Sequence, residues 1–339
     1  MRSSKSRVIL LLLIGGAIFV CTSCLLLLWR WGYIGVYEDI TPLPDGLPSQ
    51  EIVFAPDPPY LASPQSRTLG FIHMDGSGRV EYKWPLYDGT RSLLGTPMFA
   101  SQGIYPRWSY QGELLFSVRG VRGEPLTVRL ISKNGVMYGS KCDAPWGGRL
   151  NFDPQGNIIA FFNVYSSVYQ HYQGYRMPGS VLIGRHDLKN CRINGVILLP
   201  AFEFMDSISE SSSGWLVADF YDSDTRTRQV LLYHPERGIR EVFPGAHPSF
   251  SDDGEWLAYY RPDGYLAIRR VEGGEERALV EVKGAKEEVT NWPEKLSMPG
   301  WSADGKWLVV NDSSGKMYII HRESGQMKYI GPGWAPDWR

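Results

Sequence analysis

Cysteine is scarce in this chain. Four occur in 339 residues, and two of them, Cys21 and Cys24, fall inside one apolar run near the start. Cys142 and Cys191 remain, enough for one disulfide and too few for a disulfide framework. Histidine is almost as rare, at positions 73, 171, 186, 234, 247 and 321. No two of these stand at His-x-x-x-His or His-Glu-x-x-His spacing, which excludes the zinc-protease helix. No Gly-x-Ser-x-Gly elbow occurs, and no Gly-x-x-x-x-Gly-Lys-Ser/Thr loop cradles a phosphate. Neither sign of charge dominates. The formal net charge is −1, and residues 1–30 hold four basic and no acidic groups, which leaves −5 on residues 31–339. A mildly acidic body lacks the basic footprint that nucleic acid requires and has little to hold it on anionic lipid. After Leu69 no amphipathic helical stripe of twelve residues is present.

One long apolar run is present. Arg2, Lys5 and Arg7 precede an uncharged stretch from Val8 to Trp29, and Arg30 ends it. As a helix it would be about 33 Å long at ~1.5 Å per residue, enough for a hydrocarbon core of about 30 Å. The basic flank predicts a cytoplasmic N-terminus with the remainder outside. Trp29, Trp31 and Tyr33 suit the outer interface. Two other readings stay open. A cleaved signal peptide has a shorter apolar centre than this. A lipoprotein would be anchored through Cys24, after Thr22 and Ser23, although the leucines at 25–28 make an odd mature start. The expected organisation is a cytoplasmic tail at 1–7, a single-pass anchor at 8–29, a Pro-rich linker at 30–66 and a folded domain at 67–339. Seven prolines between Pro42 and Pro64 favour extended backbone in the linker; Glu51–Phe54 can still add a strand to the domain.

Beyond the linker a turn phrase recurs. Trp108-Ser-Tyr-Gln-Gly112, Phe152-Asp-Pro-Gln-Gly156, Phe250-Ser-Asp-Asp-Gly254 and Trp301-Ser-Ala-Asp-Gly305 each lead into a short apolar run. Each copy is an aromatic residue, a polar turn closed by Gly, then a strand. A period of roughly 40 to 50 residues signals a solenoid, propeller or array. The units read as strands throughout, bounded by Gly, Asp, Asn and Pro. Five full four-stranded units can be traced, one of them degenerate around Ile208 and Gly214, where Ser211–Ser213 lengthen the turn. A sixth is split. Trp334-Ala-Pro-Asp-Trp338 repeats the inner-strand phrase Ala246-His-Pro-Ser-Phe250 and then stops. Thr68–His73 and Val80–Lys83, at the other end, supply the missing outer strands. The expected fold class is therefore all-β: a six-bladed β-propeller of four-stranded blades, preceded by one N-terminal transmembrane helix. Closing the ring removes exposed sheet edges.

Pro248-Ser-Phe-Ser-Asp-Asp-Gly254 and Pro299-Gly-Trp-Ser-Ala-Asp-Gly305, each followed by an aromatic-aliphatic strand, resemble the WD-like repeats of TolB-type β-propellers. The resemblance covers roughly residues 68–339 and implies six blades. It implies no single function, because that fold serves scaffolds, peptidase gatekeepers, lyases and sugar-binding proteins alike.

The repeated residues have backbone reasons. Gly supplies positive φ, and Asp bonds the amides of its own turn. The aromatic residues fill the wedge between blades. Asp253 and Asp304 share one turn position and so are structural. Asp219-Phe-Tyr-Asp222-Ser-Asp224 reads as a solvated turn, with cation binding as the alternative. Two features stand out as candidates for binding. One is the loop 164–179, with Tyr169, Tyr172, Tyr175 and Arg176; Tyr and Arg are common interface anchors. The other is the set Arg107, Arg149, His247 and Met298, placed just before inner strands at a channel mouth, with Trp292 in the bordering loop 287–299. The arginines can grip a carboxylate or pair with acidic neighbours such as Asp206. Cys142 and Cys191 are the candidate disulfide. No catalytic residue, metal or cofactor can be named. The expected function is a non-catalytic, membrane-anchored extracytoplasmic module that binds a protein or glycan. A propeller-type glycan lyase or hydrolase, or a subunit of an extracytoplasmic enzyme, is the alternative; an envelope sensor is a third class.

Overall fold

The computed structural model describes residues 49–58, 68–83, 102–109, 114–119, 127–131, 137–140, 146–163, 180–187, 192–200, 205–222, 224–291 and 295–338. The chain divides into two compact units, Met1–Ile40 with Pro85–Phe99, and Thr41–Trp84 with Ala100–Arg339. All described residues belong to the second. The expected tail and anchor lie outside them, and among the described residues no helix is long and apolar enough to cross a membrane.

Three strands come first: β1 (Ile52–Ala55), β2 (Thr68–Ile72) and β3 (Val80–Lys83). Five four-stranded meanders follow. They are β4 (Gln102–Trp108), β5 (Leu114–Arg119), β6 (Thr127–Ile131) and β7 (Met137–Ser140); β8 (Trp146–Phe152), β9 (Ile158–Asn163), β10 (Ser180–Asp187) and β11 (Arg192–Pro200); β12 (Met205–Glu210), β13 (Leu216–Asp222), β14 (Thr227–His234) and β15 (Gly238–Pro244); β16 (Ala246–Phe250), β17 (Trp256–Tyr260), β18 (Tyr265–Arg270) and β19 (Glu276–Glu281); and, after a helix α1 (Ala285–Asn291), β20 (Gly300–Trp301), β21 (Trp307–Asn311), β22 (Lys316–His321) and β23 (Met327–Pro332). The last strand, β24 (Trp334–Trp338), pairs with β1, so the first three strands and the last make one sheet in the order β24-β1-β2-β3. Six four-stranded antiparallel sheets result, in a propeller arrangement.

Alternation explains how the sheets stack. Successive side chains of a strand point to opposite faces. On β13, Leu216, Ala218 and Phe220 pack with Ile159 of the preceding sheet, while Val217, with Trp215 just before the strand, packs with Phe250, Leu257 and Tyr259 of the following one. On β21, Leu308 and Val310 face the sheet before, with Ala258, Tyr260 and Ile268. Val309 faces the one after, with Ile52, Phe54 and Trp338. A strand covered on both faces has no polar side, which is why these segments read as unbroken apolar runs. Burial then falls from the first strand to the fourth. β16 is buried throughout, β17 nearly so, β18 at its four central residues, and β19 is exposed or half-exposed along its length.

The first strands lie beside one another. β4 packs against β8, β8 against β12, β12 against β16, β20 against β24, and β24 against β4. Ser249 Oγ of β16 donates to the carbonyl of Pro299, next to β20, at 2.7 Å, which supplies the remaining neighbour pair.

The repeated turns have the expected geometry. Ser251 Oγ accepts from the Trp256 amide at 3.0 Å and Asp253 Oδ1 from the Glu255 amide at 2.9 Å. Ser302 and Asp304 repeat this with Trp307 and Lys306 at 3.0 and 3.1 Å. Gly254 and Gly305 carry φ of 72° and 64°. The copy at Gly214 differs from expectation. Ser211 bonds directly to Trp215, so the turn is one residue shorter than Ser251–Trp256, not longer. The copy at Gly112 lies outside the described residues.

Two further corrections concern element boundaries. β1 sits inside the expected linker 30–66, between β24 and β2, as the reading of Glu51–Phe54 allowed. The segment 287–299, read as a loop, begins within the two-turn helix α1. Because β1 is fully buried and Ile52 is part of an inter-sheet core, Ile52→Ala is expected to cost about 2–5 kcal/mol in equilibrium denaturant unfolding. Tyr329→Ser, at a half-exposed position on β23, is expected to stay within about 0.5 kcal/mol.

Candidate functional site

The residue just before the aromatic position of the repeated turn phrase lies against the neighbouring first strand, and most of these positions bond across. Asp337 Oδ2 of β24 accepts from the Trp108 amide at 2.7 Å, and its Oδ1 from Arg107 Nη1 at 3.1 Å. Asn151 Nδ2 of β8 donates to the Ile208 carbonyl of β12 at 3.1 Å. Ser209 Oγ of β12 accepts from the Phe250 amide of β16 at 3.4 Å. Ser249 continues the series toward β20, as above. At Gly300 the space belongs to its neighbour. A Cβ there would stand 2.8 Å from Asp337 Oδ1 and 3.0 Å from its Cα. Burial pushes the Asp337 carboxyl upward, against the pull of Arg107 and the Trp108 amide.

Two residues earlier the first strands bulge. Pairing shifts register between Ala246 and Ser249, between Met205 and Ile208, and in the partner of β24 between Val53 and Ala55. His247 and Ala335 occupy the same point of their strands, with φ of 52° and 45°. A non-glycine residue here costs on the order of 1–3 kcal/mol, so the surroundings must hold it.

At His247 they do so with charge. Asp219 on β13, Arg228 on β14, His247 on β16, Glu288 on α1 and Ser207 on β12 are all at most 1% exposed. Asp219 Oδ1 accepts from the Ser207 amide and hydroxyl at 2.8 and 2.6 Å. Its Oδ2 accepts from Arg228 Nη1 and from the bulged His247 amide, both at 2.9 Å. The imidazole lies between two carboxylates: Nε2 is 2.8 Å from Glu288 Oε1, and Nδ1 is 3.6 Å from Asp219 Oδ2. Glu288 Oε2 accepts from the amides of Lys295 and Leu296 at 2.9 and 3.3 Å. One carboxylate thus ties three strands of one sheet to the next sheet, and a second ties that sheet to the segment following α1.

The expected site residues divide as follows. Arg107 is buried and paired with Asp337. It stands two residues further along its strand than His247, so the two do not share a ring position. His247 is fully buried and belongs to the charged cluster. Met298 is buried at 1% exposure. Arg149 stands on β8. Tyr169, Tyr172, Tyr175, Arg176, Trp292, Cys142 and Cys191 lie outside the described residues. Asp219, read as part of a solvated turn, is fully buried in the cluster, whereas Asp222 is at the turn proper and bonds Thr225 and the Asp224 amide. A signal was present: Asp219 ends the run Trp215-Leu-Val-Ala at the position of Tyr260 and Asn311 in the other copies, where solvation is not available. Among the described residues no group of three or more His, Cys, Asp or Glu is placed to hold a metal.

No protein-family model matches the chain. No curated protein sequence matches it. Solved structures do show likeness. A gluconolactonase, XC5397 from Xanthomonas campestris, is 15% identical with a TM-score of 0.44, over 67% of this chain and 75% of that one. The Dos1 propeller is 10% identical at 0.40, over 80% and 69%. An oligogalacturonate lyase in complex with manganese is 14% identical at 0.38, over 67% and 66%; the chain spans just under two thirds of that lyase. Likeness this slight says nothing of activity.

Two outcomes are expected. Asp219→Asn keeps one acceptor oxygen but turns an NH2 group toward one of the two pairs of donors that Asp219 accepts from, and removes the charge opposite Arg228, so it should destabilise by about 3–5 kcal/mol in chemical unfolding. Asp252, at the exposed turn after β16, is pushed up to about 6 by partial loss of water, with the charges of Asp337 and Asp253 adding. A carboxyl raised in the folded state binds its proton more tightly there than in the unfolded chain. Stability therefore falls as pH rises from about 4 through about 6. Asp252→Asn should flatten that fall in a series of thermal unfolding curves.

Proposed function

We propose that this chain is a membrane-anchored extracytoplasmic binding module: a six-bladed propeller of the TolB type, held by an anchor at 8–29 with residues 1–7 in the cytoplasm, which presents one face to a protein or glycan ligand without catalysis. The observation that carries the reading is the way the inner ionisable groups are used. Arg107 and Asp337 close the ring of first strands against each other. Asp219, Arg228, His247 and Glu288 are sealed from solvent and bond one another. A general acid or base must reach a substrate proton at hydrogen-bond distance, and buried, mutually bonded groups do not. They make a stiff frame, and stiffness suits recognition because little ordering is left to be done on binding. Contact with the ligand then falls to the loops between strands, where the candidates are Tyr169, Tyr172, Tyr175, Arg176 and Trp292; Arg149, on β8, is a further candidate.

The test has two arms. Protease added to intact cells, or to spheroplasts if an outer membrane is present, is expected to digest the domain and leave a short anchored fragment; full protection until the inner membrane is lysed would reverse the topology. The detergent-solubilised full chain is then used to retain partners and glycans. The triple change Tyr169→Ala, Tyr172→Ala and Tyr175→Ala is expected to weaken retention at least tenfold with an unchanged melting temperature. Turnover of a polysaccharide by the purified chain would overturn the non-catalytic reading.

A further inference from the structure

Trp256 opens β17 and stands directly opposite Arg270, the last residue of β18. The pairing recurs in the sheets on either side. Trp307 faces His321 across β21 and β22, with the rings 4.8 Å apart, and Trp215, just before β13, lies 4.9 Å from the ring of His234. In those two copies the histidine serves its own turn. His234 Nδ1 accepts from the Glu236 amide and His321 Nδ1 from the Ser324 amide, both at 3.3 Å. A guanidinium has no acceptor to offer. Arg270 instead sets its Cζ 4.9 Å from the centre of the Trp256 ring. Arg322, from the following sheet, sets its own at 5.0 Å from the same ring. One indole holds two guanidiniums.

These cations are not neutralised as others in the domain are. Arg79, Arg107, Arg228, Arg237, Arg261 and Arg269 each meet a carboxylate at 2.6 to 3.1 Å. Arg270 is exposed, and among the described residues no carboxylate stands within ion-pair distance of it. Arg322 reaches Glu323 Oε1 at 3.7 Å, and that side chain is 73% exposed. Arg277 brings a third positive charge to the same turn, donating to the carbonyls of Glu323, at 2.9 Å, and of Arg322. Asp253 Oδ2 borders Gly305, as Arg322 Nη1 does, but the two do not pair. Stacking uses the face of a guanidinium and leaves the N–H donors of its edge for another partner. Residues 31–339 carry −5, so a local excess of positive charge with unspent donors runs against the composition.

Shape narrows the anion. A single guanidinium fork fills both oxygens of a carboxylate, whereas a tetrahedral oxyanion has oxygens for two forks. We propose that Arg270 and Arg322, held on Trp256, form a binding site for a phosphoryl group, either free phosphate or the headgroup of a phospholipid. The site lies at the opposite end of the strands from His247. β16 pairs its first residue, Ala246, with Tyr260, and its last, Phe250, with Leu257, next to Trp256. It therefore does not rest on the loops offered above as contacts for a protein or glycan.

The test is calorimetric titration of the full chain in an uncharged detergent at pH 7.0. Inorganic phosphate is expected to bind saturably, and acetate at equal ionic strength is not. Heats no greater than those of chloride at equal ionic strength overturn the site, because screening alone then accounts for them; acetate binding as tightly as phosphate overturns the tetrahedral assignment. Arg270→Gln and Arg322→Gln are each expected to weaken phosphate binding at least fivefold, with Arg226→Gln, at an exposed turn, as the unchanged reference. An equal effect in all three is the contrary result. Glu323→Gln removes the carboxylate beside Arg322 and is expected to tighten binding at least twofold, which a guanidinium that merely props its turn would not do; unchanged or weaker binding counts against the proposal. Glycerophosphoglycerol, a soluble headgroup diester, separates the sources. Binding at least as tight as that of inorganic phosphate assigns the site to a lipid, weaker binding assigns it to free phosphate, and failure of both overturns it.

Discussion

The bond between Asp337 and the start of the first full meander holds the structure shut. Every other sheet is a local hairpin stack, built from neighbours in sequence. The sheet β24-β1-β2-β3 is not: its strands come from opposite ends of the domain, and its first strand must also meet β4. Asp337 does this with one carboxylate, which takes the Trp108 amide on one oxygen and the Arg107 guanidinium on the other. Such a pair is costly to bury and more costly to break, because the surviving charge has no water to return to. It therefore specifies which strand follows β24 more than it adds to stability. Gly300 completes the arrangement by leaving room for the Asp337 side chain and backbone.

The same economy of polar groups appears around Asp219. A bulge turns the His247 amide out of its ladder, and a buried amide must find another acceptor. Asp219 provides it and is in turn neutralised by Arg228. The equivalent bulge at Ala335 shows that the backbone shape recurs, whereas among the described residues the charged cluster stands at His247. Tyr260 and Asn311, at the positions matching Asp219, show how the other copies differ. Asn311 bonds Ser297 and the Lys295 carbonyl, so it serves the segment following α1 by a neutral route.

Much of the fold could be read from residues alone, because the repeat is governed by short-range rules. Trp301, Phe250 and the Asp-Gly turns announce themselves through spacing, and the apolar runs after them have no other use than to lie between two sheets. The pairing of 334–338 with the N-terminal strands was legible for the same reason: an inner-strand phrase without its turn needs partners from elsewhere. What escaped were the features fixed at long range. β1 is four residues among prolines; Glu51–Phe54 could be read as an added strand, but nothing local told that it lies between β24 and β2. Asp219 lies among acidic residues that are solvated, and only its register on β13 separates it from Asp222. His247 and Arg107 both precede an aromatic residue, but by three positions and by one, and that difference sends one into the charged cluster and the other to Asp337. Counting back from the turn, not forward from the apparent strand start, would have separated them.

Placing β1 between β24 and β2 also has a temporal side. The ribosome makes β1, β2 and β3 first and β24 last, so three strands emerge with no partner on their inner flank while five complete meanders are still being synthesised. Their hydrogen-bonding edge stays open for the whole of that interval, and long-range pairing of this kind is slow to form. Within the domain, the edge of β1 stays open to misassembly until β24 has been made to cover it.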